Sequence, residues 1–220
     1  MTTPPIRVLL ADDHQVLREG LRVLLESEED LCVASEASTG DEAVRLCGEI
    51  QPDVVVMDLG MPGMSGLEAI RKIRRQRPQV RIVVLTMHSG RELVMQAIQA
   101  GCDGYVPKSA AHTSLLQAIR AVHAGQRFLH PAAATVVMDE LTNQHREAKL
   151  LSLLSERERE ILRLTAVGFT SREIGEQLAL SPKTVETYRQ RAMEKLNLEH
   201  RSEVVRFALR AGLLDAAKDT

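Results

Sequence analysis

The chain has 220 residues, 44% of them hydrophobic and 26% charged, an ordinary soluble composition that at about 100–150 residues per domain predicts two domains. No apolar run approaches the roughly 18–20 residues a bilayer span needs, and Met1-Thr2-Thr3-Pro4-Pro5 leads straight into a charged, strand-like segment, so neither a membrane protein nor a signal peptide is expected and the location read is cytoplasmic. The net charge of −2 excludes any nucleic-acid argument from overall charge.

In chain order, residues 1–125 alternate apolar runs with amphipathic stretches. Ile6–Ala11, Leu31–Glu36, Val54–Met57, Arg81–Thr86 and Gly104–Val106 read as strands. Val54-Val55-Val56-Met57 is a continuous apolar, β-branched run, the mark of a strand buried on both faces. Helical spacing recurs over His14–Glu26, Gly40–Ile50, Leu67–Arg77, Glu92–Ala100 and Thr113–Ala124. Five such β-α units predict an α/β fold, a doubly wound five-stranded parallel sheet with helices on both faces.

Residues 126–152 break the rhythm. Ala132–Leu141 can form one helix, whereas Thr142–Lys149 is polar without a core face and reads as linker. From 153 to 220 the chain reads as a small all-α domain. Ser155-Glu156-Arg157-Glu158 and Thr170-Ser171-Arg172-Glu173 are capping boxes, and Ser181-Pro182 is a third helix start. Residues 1–125 carry 13 Lys+Arg against 16 Asp+Glu (−3), and residues 151–220 carry 12 against 11 (+1). Binding to DNA therefore needs a locally basic face. The three cysteines, Cys32, Cys47 and Cys102, are odd in number and lack CxxC spacing, which predicts buried reduced thiols.

Ligands of open parallel sheets bind beyond the carboxyl ends of the strands. Those ends carry Asp12 and Asp13, Asp58, Thr86 and Lys108. Three carboxylates in one crevice repel each other, and a hard cation such as Mg²⁺ relieves that; no His/Cys cluster favours zinc. A carboxylate is also a nucleophile toward phosphorus, and a transferring phosphoryl group needs cations and donors around it.

Leu10-Ala11-Asp12-Asp13-His14, Val56-Met57-Asp58-Leu59-Gly60-Met61-Pro62, Val84-Leu85-Thr86 and Gly104-Tyr105-Val106-Pro107-Lys108 together resemble a receiver domain. The resemblance implies that Asp58 accepts phosphate from a sensor histidine kinase, that Asp12, Asp13, Asp58 and the Gly60 carbonyl bind Mg²⁺, that Thr86 and Tyr105 form the switch pair, and that Lys108 contacts the phosphoryl oxygens. Two departures stand out: Ser109 follows the lysine where many receivers have proline, and Met87 follows Thr86 where smaller residues are common.

Leu154–Leu162, Gly168, Ile174–Leu178, Ser181–Tyr188 and Lys195-Leu196 resemble the LuxR-type helix-turn-helix of NarL/FixJ-subfamily response regulators. Val185, Tyr188, Ala192 and Leu196 form the core stripe of its second helix, leaving Lys183, Thr184, Glu186, Thr187, Arg189, Gln190 and Arg191 on the other face. The resemblance makes Glu186, Thr187 and Gln190 base readers and Lys183, Arg189, Arg191 and Lys195 phosphate contacts. Many relatives carry lysine where Glu186 stands. The implied partners are a sensor histidine kinase, double-stranded promoter DNA and a second copy of the chain. A haloacid-dehalogenase-type phosphatase needs a carboxylate two residues after the nucleophile, where this chain has Gly60. A phosphate sink without DNA leaves the helix-turn-helix unexplained, and a DNA binder with a vestigial acidic site leaves the intact acidic set unexplained.

Overall fold

The computed structural model describes residues 4–87 and 90–214; the Met1–Thr3 start, read above as free of a leader, lies outside them. The chain divides into two compact units, residues 1–137 and 138–220.

The N-terminal unit is built on strands β1 (Ile6–Ala11), β2 (Leu31–Ala37), β3 (Val54–Met57), β4 (Arg81–Thr86), β5 (Gly104–Pro107) and β6 (Phe128–Leu129). They form one parallel sheet in the order β2-β1-β3-β4-β5-β6. Helices α1 (Gln15–Glu26), α2 (Gly40–Ile50), α3 (Gly66–Gln76), α4 (Arg91–Ala100) and α5 (Ala111–His123) connect them. Side chains alternate across a strand, and each strand here feeds two cores. Leu9, Val55, Met57, Ile82, Val84 and Tyr105 pack with α2, α3 and α4 on one face. Val8, Leu10, Val54, Val56, Val83 and Leu85 pack with α1 and α5 on the other.

The sixth strand extends the expected five. Only two residues long, it leaves no periodicity to read, and it forms because Gly125 (φ 82°) turns the chain back beside β5. Gly104 then pairs with Phe128 and Tyr105 with Leu129. The His130 amide donates to the Tyr105 carbonyl (3.0 Å), closing the ladder just before the next helix.

That helix, α6 (Pro131–Ser152), runs through the whole stretch expected to be polar linker. Gln144, Arg146, Glu147, Ala148 and Lys149 are good helix formers, and the middle of the helix needs no apolar stripe because its two ends carry the packing. Ala133, Val136 and Val137 join the N-terminal core, while Leu150 and Leu151 pack into the C-terminal one. The boundary between units falls inside this helix, at 137/138.

The C-terminal unit continues with α7 (Glu156–Val167), α8 (Ser171–Leu178), α9 (Pro182–Leu196) and α10 (Arg201–Arg210). The capping boxes at Ser155 and Thr170 form as the sequence predicts, and Ser181 caps α9 with Pro182 at its first position. Leu162, Ala192, Leu196, Val204 and Phe207 form one core, and Ile161, Leu164, Ile174 and Val185, flanked by Tyr188, a second. The α8–α9 turn is tight. A Cβ on Gly175 would lie 2.6 Å from the Leu180 carbonyl oxygen, so only glycine allows the Leu180 amide to donate to the Gly175 carbonyl at 2.9 Å. Among the described residues, no helix is long and apolar enough to cross a membrane.

Candidate functional site

The crevice beyond the carboxyl ends of β1, β3, β4 and β5 collects the predicted side chains. Asp12 follows β1 and its amide donates to the Ala37 carbonyl (3.1 Å) on β2; Asp58 follows β3 and its amide donates to the Ala11 carbonyl (2.8 Å). Both are buried, as are Thr86 at the end of β4 and Lys108 just past β5. The Lys108 Nζ lies 2.6 Å from Asp58 Oδ2 and 2.7 Å from Asp12 Oδ2, one ammonium between two carboxylates. Burial alone would lower the pKa of this lysine, but its hydrogen bonds and the charges of Asp12 and Asp58 outweigh that and hold it above the ordinary lysine value. Lys108 opens a short 3₁₀ turn, Lys108–Ala110, with no cis peptide among the described residues.

Asp13 stands at the rim, and the Gly60 amide donates to Asp58 Oδ1 (3.3 Å). Asp12 Oδ2 meets Lys108 as an ion pair outside good hydrogen-bond alignment, and Asp13 Oδ1 likewise accepts no aligned hydrogen bond. Oxygens of Asp12, Asp13 and Asp58 and a ring nitrogen of His14 all lie within 4.8 Å of one another. Buried, incompletely satisfied carboxylate oxygens at such spacing suit a hard divalent cation. Tyr105 is fully buried on β5, and burial, with Cys102 nearby, pushes its hydroxyl up to about 12, so it is neutral near pH 7.

Three positions went unassigned from sequence. His14 stands at the N-cap position of α1 beside the carboxylates, its Nδ1 2.8 Å from Asp13 Oδ1; the motif contains it but gives it no duty. Arg18 donates to the Asp12 carbonyl (2.6 Å) and to Glu36 (2.8 Å), fixing the β1 end. Gly66 starts α3 so close to the β3 end that a Cβ would sit 2.0 Å from the Asp58 carbonyl oxygen. Its amide donates to the Leu59 carbonyl (3.2 Å), so this glycine sets the backbone under Asp58.

In the C-terminal unit, α9 buries Val185, Ala192 and Leu196 and exposes Lys183, Glu186, Thr187, Gln190 and Arg191, with Thr184 and Arg189 partly covered. Several of these side chains are already engaged. Thr184 Oγ1 shares a hydrogen bond with the Ser181 cap (2.7 Å), Thr187 donates to the Lys183 carbonyl (3.0 Å), and Gln190 donates to Glu194 (3.1 Å). Arg189 pairs with Glu186. Lys183 and Arg191 make no ion pair among the described residues. Lys195, expected among the phosphate contacts, has its Nζ 2.7 Å from Glu158 Oε2, a carboxylate only 5% exposed. That pair ties α9 to α7. The Lys195 hydrogen bond chiefly, against the opposing effect of burial and helped by Ser155, holds the Glu158 carboxyl below its usual value.

Residues 8–120 match the response regulator receiver domain family, and residues 152–208 match the LuxR family of bacterial regulatory proteins. The chain belongs to the response regulators. Response regulator UvrY of Escherichia coli K12 is 42% identical over 212 residues, which is 96% of this chain and 97% of that one. Response regulator GacA of Pseudomonas aeruginosa is 39% identical, covering 96% of this regulator and 99% of the relative. Among solved structures, the RcsB response regulator of Salmonella typhimurium superposes with a TM-score of 0.62 at 28% identity, covering 94% of this regulator and 99% of that chain. The RcsB–DNA complex gives 0.58 at 28% identity over 94% and 98%. The regulator thus joins a receiver fold to a LuxR-type helical domain, the organisation of a two-component transcription regulator.

Proposed function

We propose that this regulator is switched by phosphorylation of Asp58 and then acts as a dimer on promoter DNA, in the cytoplasm. The observation that carries the reading is the buried Lys108 ammonium held between Asp58 and Asp12. The phosphoryl group leaves a histidine nitrogen of a sensor kinase: the P–N bond breaks, a P–O bond forms to an Asp58 oxygen, and an acyl phosphate results. Lys108 then turns from the bare carboxylate to the phosphoryl oxygens it is already beside. Asp12, Asp13, Asp58 and the Gly60 carbonyl would hold Mg²⁺, which supplies positive charge to the transferring group when bound.

The Thr86 hydroxyl, at the end of β4, reaches the new phosphoryl group. Its shift leaves space that Tyr105, on the neighbouring strand and neutral, repacks to fill, and this biases an inactive–active equilibrium. No outside substrate is turned over, because Gly60 stands where a phosphatase of this chemistry needs its acid–base carboxylate. Functionally the chain divides into a receiver over 1–125, a connector over 126–152 and a DNA-binding domain over 153–220. The N-terminal half of α9 enters the major groove, with Lys183 and Arg191 on phosphates and Glu186, Thr187 and Gln190 toward the bases. The RcsB–DNA complex, a relative of the same organisation, supports the DNA-bound state.

The test compares DNA affinity at one salt concentration, since phosphate contacts make affinity steeply salt-dependent. Untreated protein, protein given Mg²⁺ and a small phosphodonor, and Asp58→Asn treated the same way are titrated with fragments of the source genome. A gain confined to treated wild type is expected. Equal affinity in all three samples overturns the switch.

A further inference from the structure

Glu186 is an acid in the middle of a face expected to meet a polyanion. It is also held from another helix. The Ser171 hydroxyl, at the first position of α8, donates to Glu186 Oε2 at 3.0 Å, while Arg189, one turn along α9, pairs with Glu186 Oε1. The Arg189 guanidinium also reaches the Ser171 Oγ at 3.4 Å, closing a three-residue ring. The start of α8 carries partial positive charge, which favours a carboxylate there. An isolated surface ion pair contributes little. A carboxylate gripped by a hydroxyl from a second helix is different, because its direction is set before DNA arrives.

A carboxylate offers about four lone-pair sites on its two oxygens. Ser171 and Arg189 take one on each oxygen, and the Glu186 side chain remains 52% exposed. An acceptor-only group discriminates among base edges. Guanine and thymine present acceptors to it, and adenine places its N7 acceptor beside its amino donor. Cytosine alone presents a donor without a neighbouring acceptor on the same base. The pairing with Glu186 also neutralises Arg189, so that arginine is withdrawn from the phosphate contacts that bind every sequence alike.

We infer that Glu186, aimed by Ser171 and Arg189, is the specificity-determining acceptor of this helix-turn-helix and takes a hydrogen bond from the exocyclic amino group of a cytosine in each half-site. Ser171 is its positioning residue. The inference rests on the DNA-binding reading above and names the base that reading leaves open.

The experiment selects bound sequences from a random-sequence duplex library using the full-length, phosphodonor-treated protein. Wild type enriches a cytosine at one position of each half-site by at least about fivefold over the other bases. Glu186→Gln moves that preference to adenine, since an amide matches the adenine N6–N7 pair. Ser171→Ala keeps Glu186 but weakens the cytosine preference without changing the salt slope of binding, whereas loss of a phosphate contact would lower affinity for all sequences and reduce the slope. Ser171→Thr restores the preference. If wild type and Glu186→Gln enrich the same motif, the base-reading role is wrong while DNA binding stands. If wild type enriches nothing, the DNA-binding reading falls and this inference with it.

Discussion

The acidic crevice and the α9 face both gather charge, and they do so under opposite conditions. In the crevice Asp12, Asp58 and Lys108 are buried and hold each other through contacts between strands far apart in sequence. On α9 the charges are exposed or half exposed, and two of the pairings, Arg189 with Glu186 and Glu194 with Gln190, lie three or four residues along the same helix. Removing a partner from the first leaves an uncompensated charge in low dielectric, which is costly; removing one from the second mostly restores it to water. In the crevice each charge therefore depends on its buried partners, whereas charges on the helix face can be changed in small steps.

The largest expected effect breaks the first arrangement. Lys108→Met leaves two buried carboxylates without a cation and should cost about 3–5 kcal/mol in urea unfolding near neutral pH, with part of the loss recovered by adding Mg²⁺; an unchanged midpoint would refute the picture of a charged trio. The lysine's folded pKa is raised, so its contribution is complete below the ordinary lysine value and is lost only as pH rises through the folded one. Wild-type stability should accordingly show no loss from Lys108 between about pH 6 and pH 9.

Next come two glycines, one under each region. Gly66→Ala and Gly175→Ala each put a Cβ into a backbone carbonyl, at 2.0 Å and 2.6 Å, and each should destabilise by about 1–3 kcal/mol. They separate by function: Gly66→Ala displaces the Asp58 backbone and should slow phosphoryl incorporation, measured by acyl-phosphate labelling, while Gly175→Ala should leave labelling unchanged and weaken DNA binding. The reverse pattern would undo the assignment of the two sites.

Smaller effects sort the lysines of α9. The Glu158 carboxyl is depressed on folding, so its contribution is present above the unfolded value and lost as pH falls through the folded one. Lys195→Met should therefore raise the pH at which the protein loses stability on acidification, with the salt dependence of DNA binding unaltered. Lys183→Ala should do the opposite, leaving acid stability intact and reducing the slope of log affinity against log salt by about 0.9.

How much of this was legible in the sequence follows the same division. The strands and helices of the N-terminal unit could be read because burial on both faces forces apolar runs, and the crevice because Asp12, Asp58, Thr86 and Lys108 each close such a run. Capping boxes announced α7 and α8 for a local reason, each hydroxyl bonding an amide three residues on. What escaped notice depends on distant neighbours. Gly66 is required only because α3 begins against the Asp58 backbone, Ser171 matters only because α9 brings Glu186 to it, and Lys195 looked like a free cation until Glu158 was placed opposite. The second half of α6 was hidden because a helix anchored at both ends needs no stripe between them.

The closing rung of the sheet, from the His130 amide to the Tyr105 carbonyl, is in effect a gauge attached to the switch. It is the last bond of a two-residue strand, so it opens more readily than any rung nearer the centre. In the proposed switch it hangs on the residue whose side chain moves when Thr86 moves. The rate at which that single proton trades with deuterium should then track the state of the crevice, giving a readout of phosphorylation that requires neither DNA nor a partner.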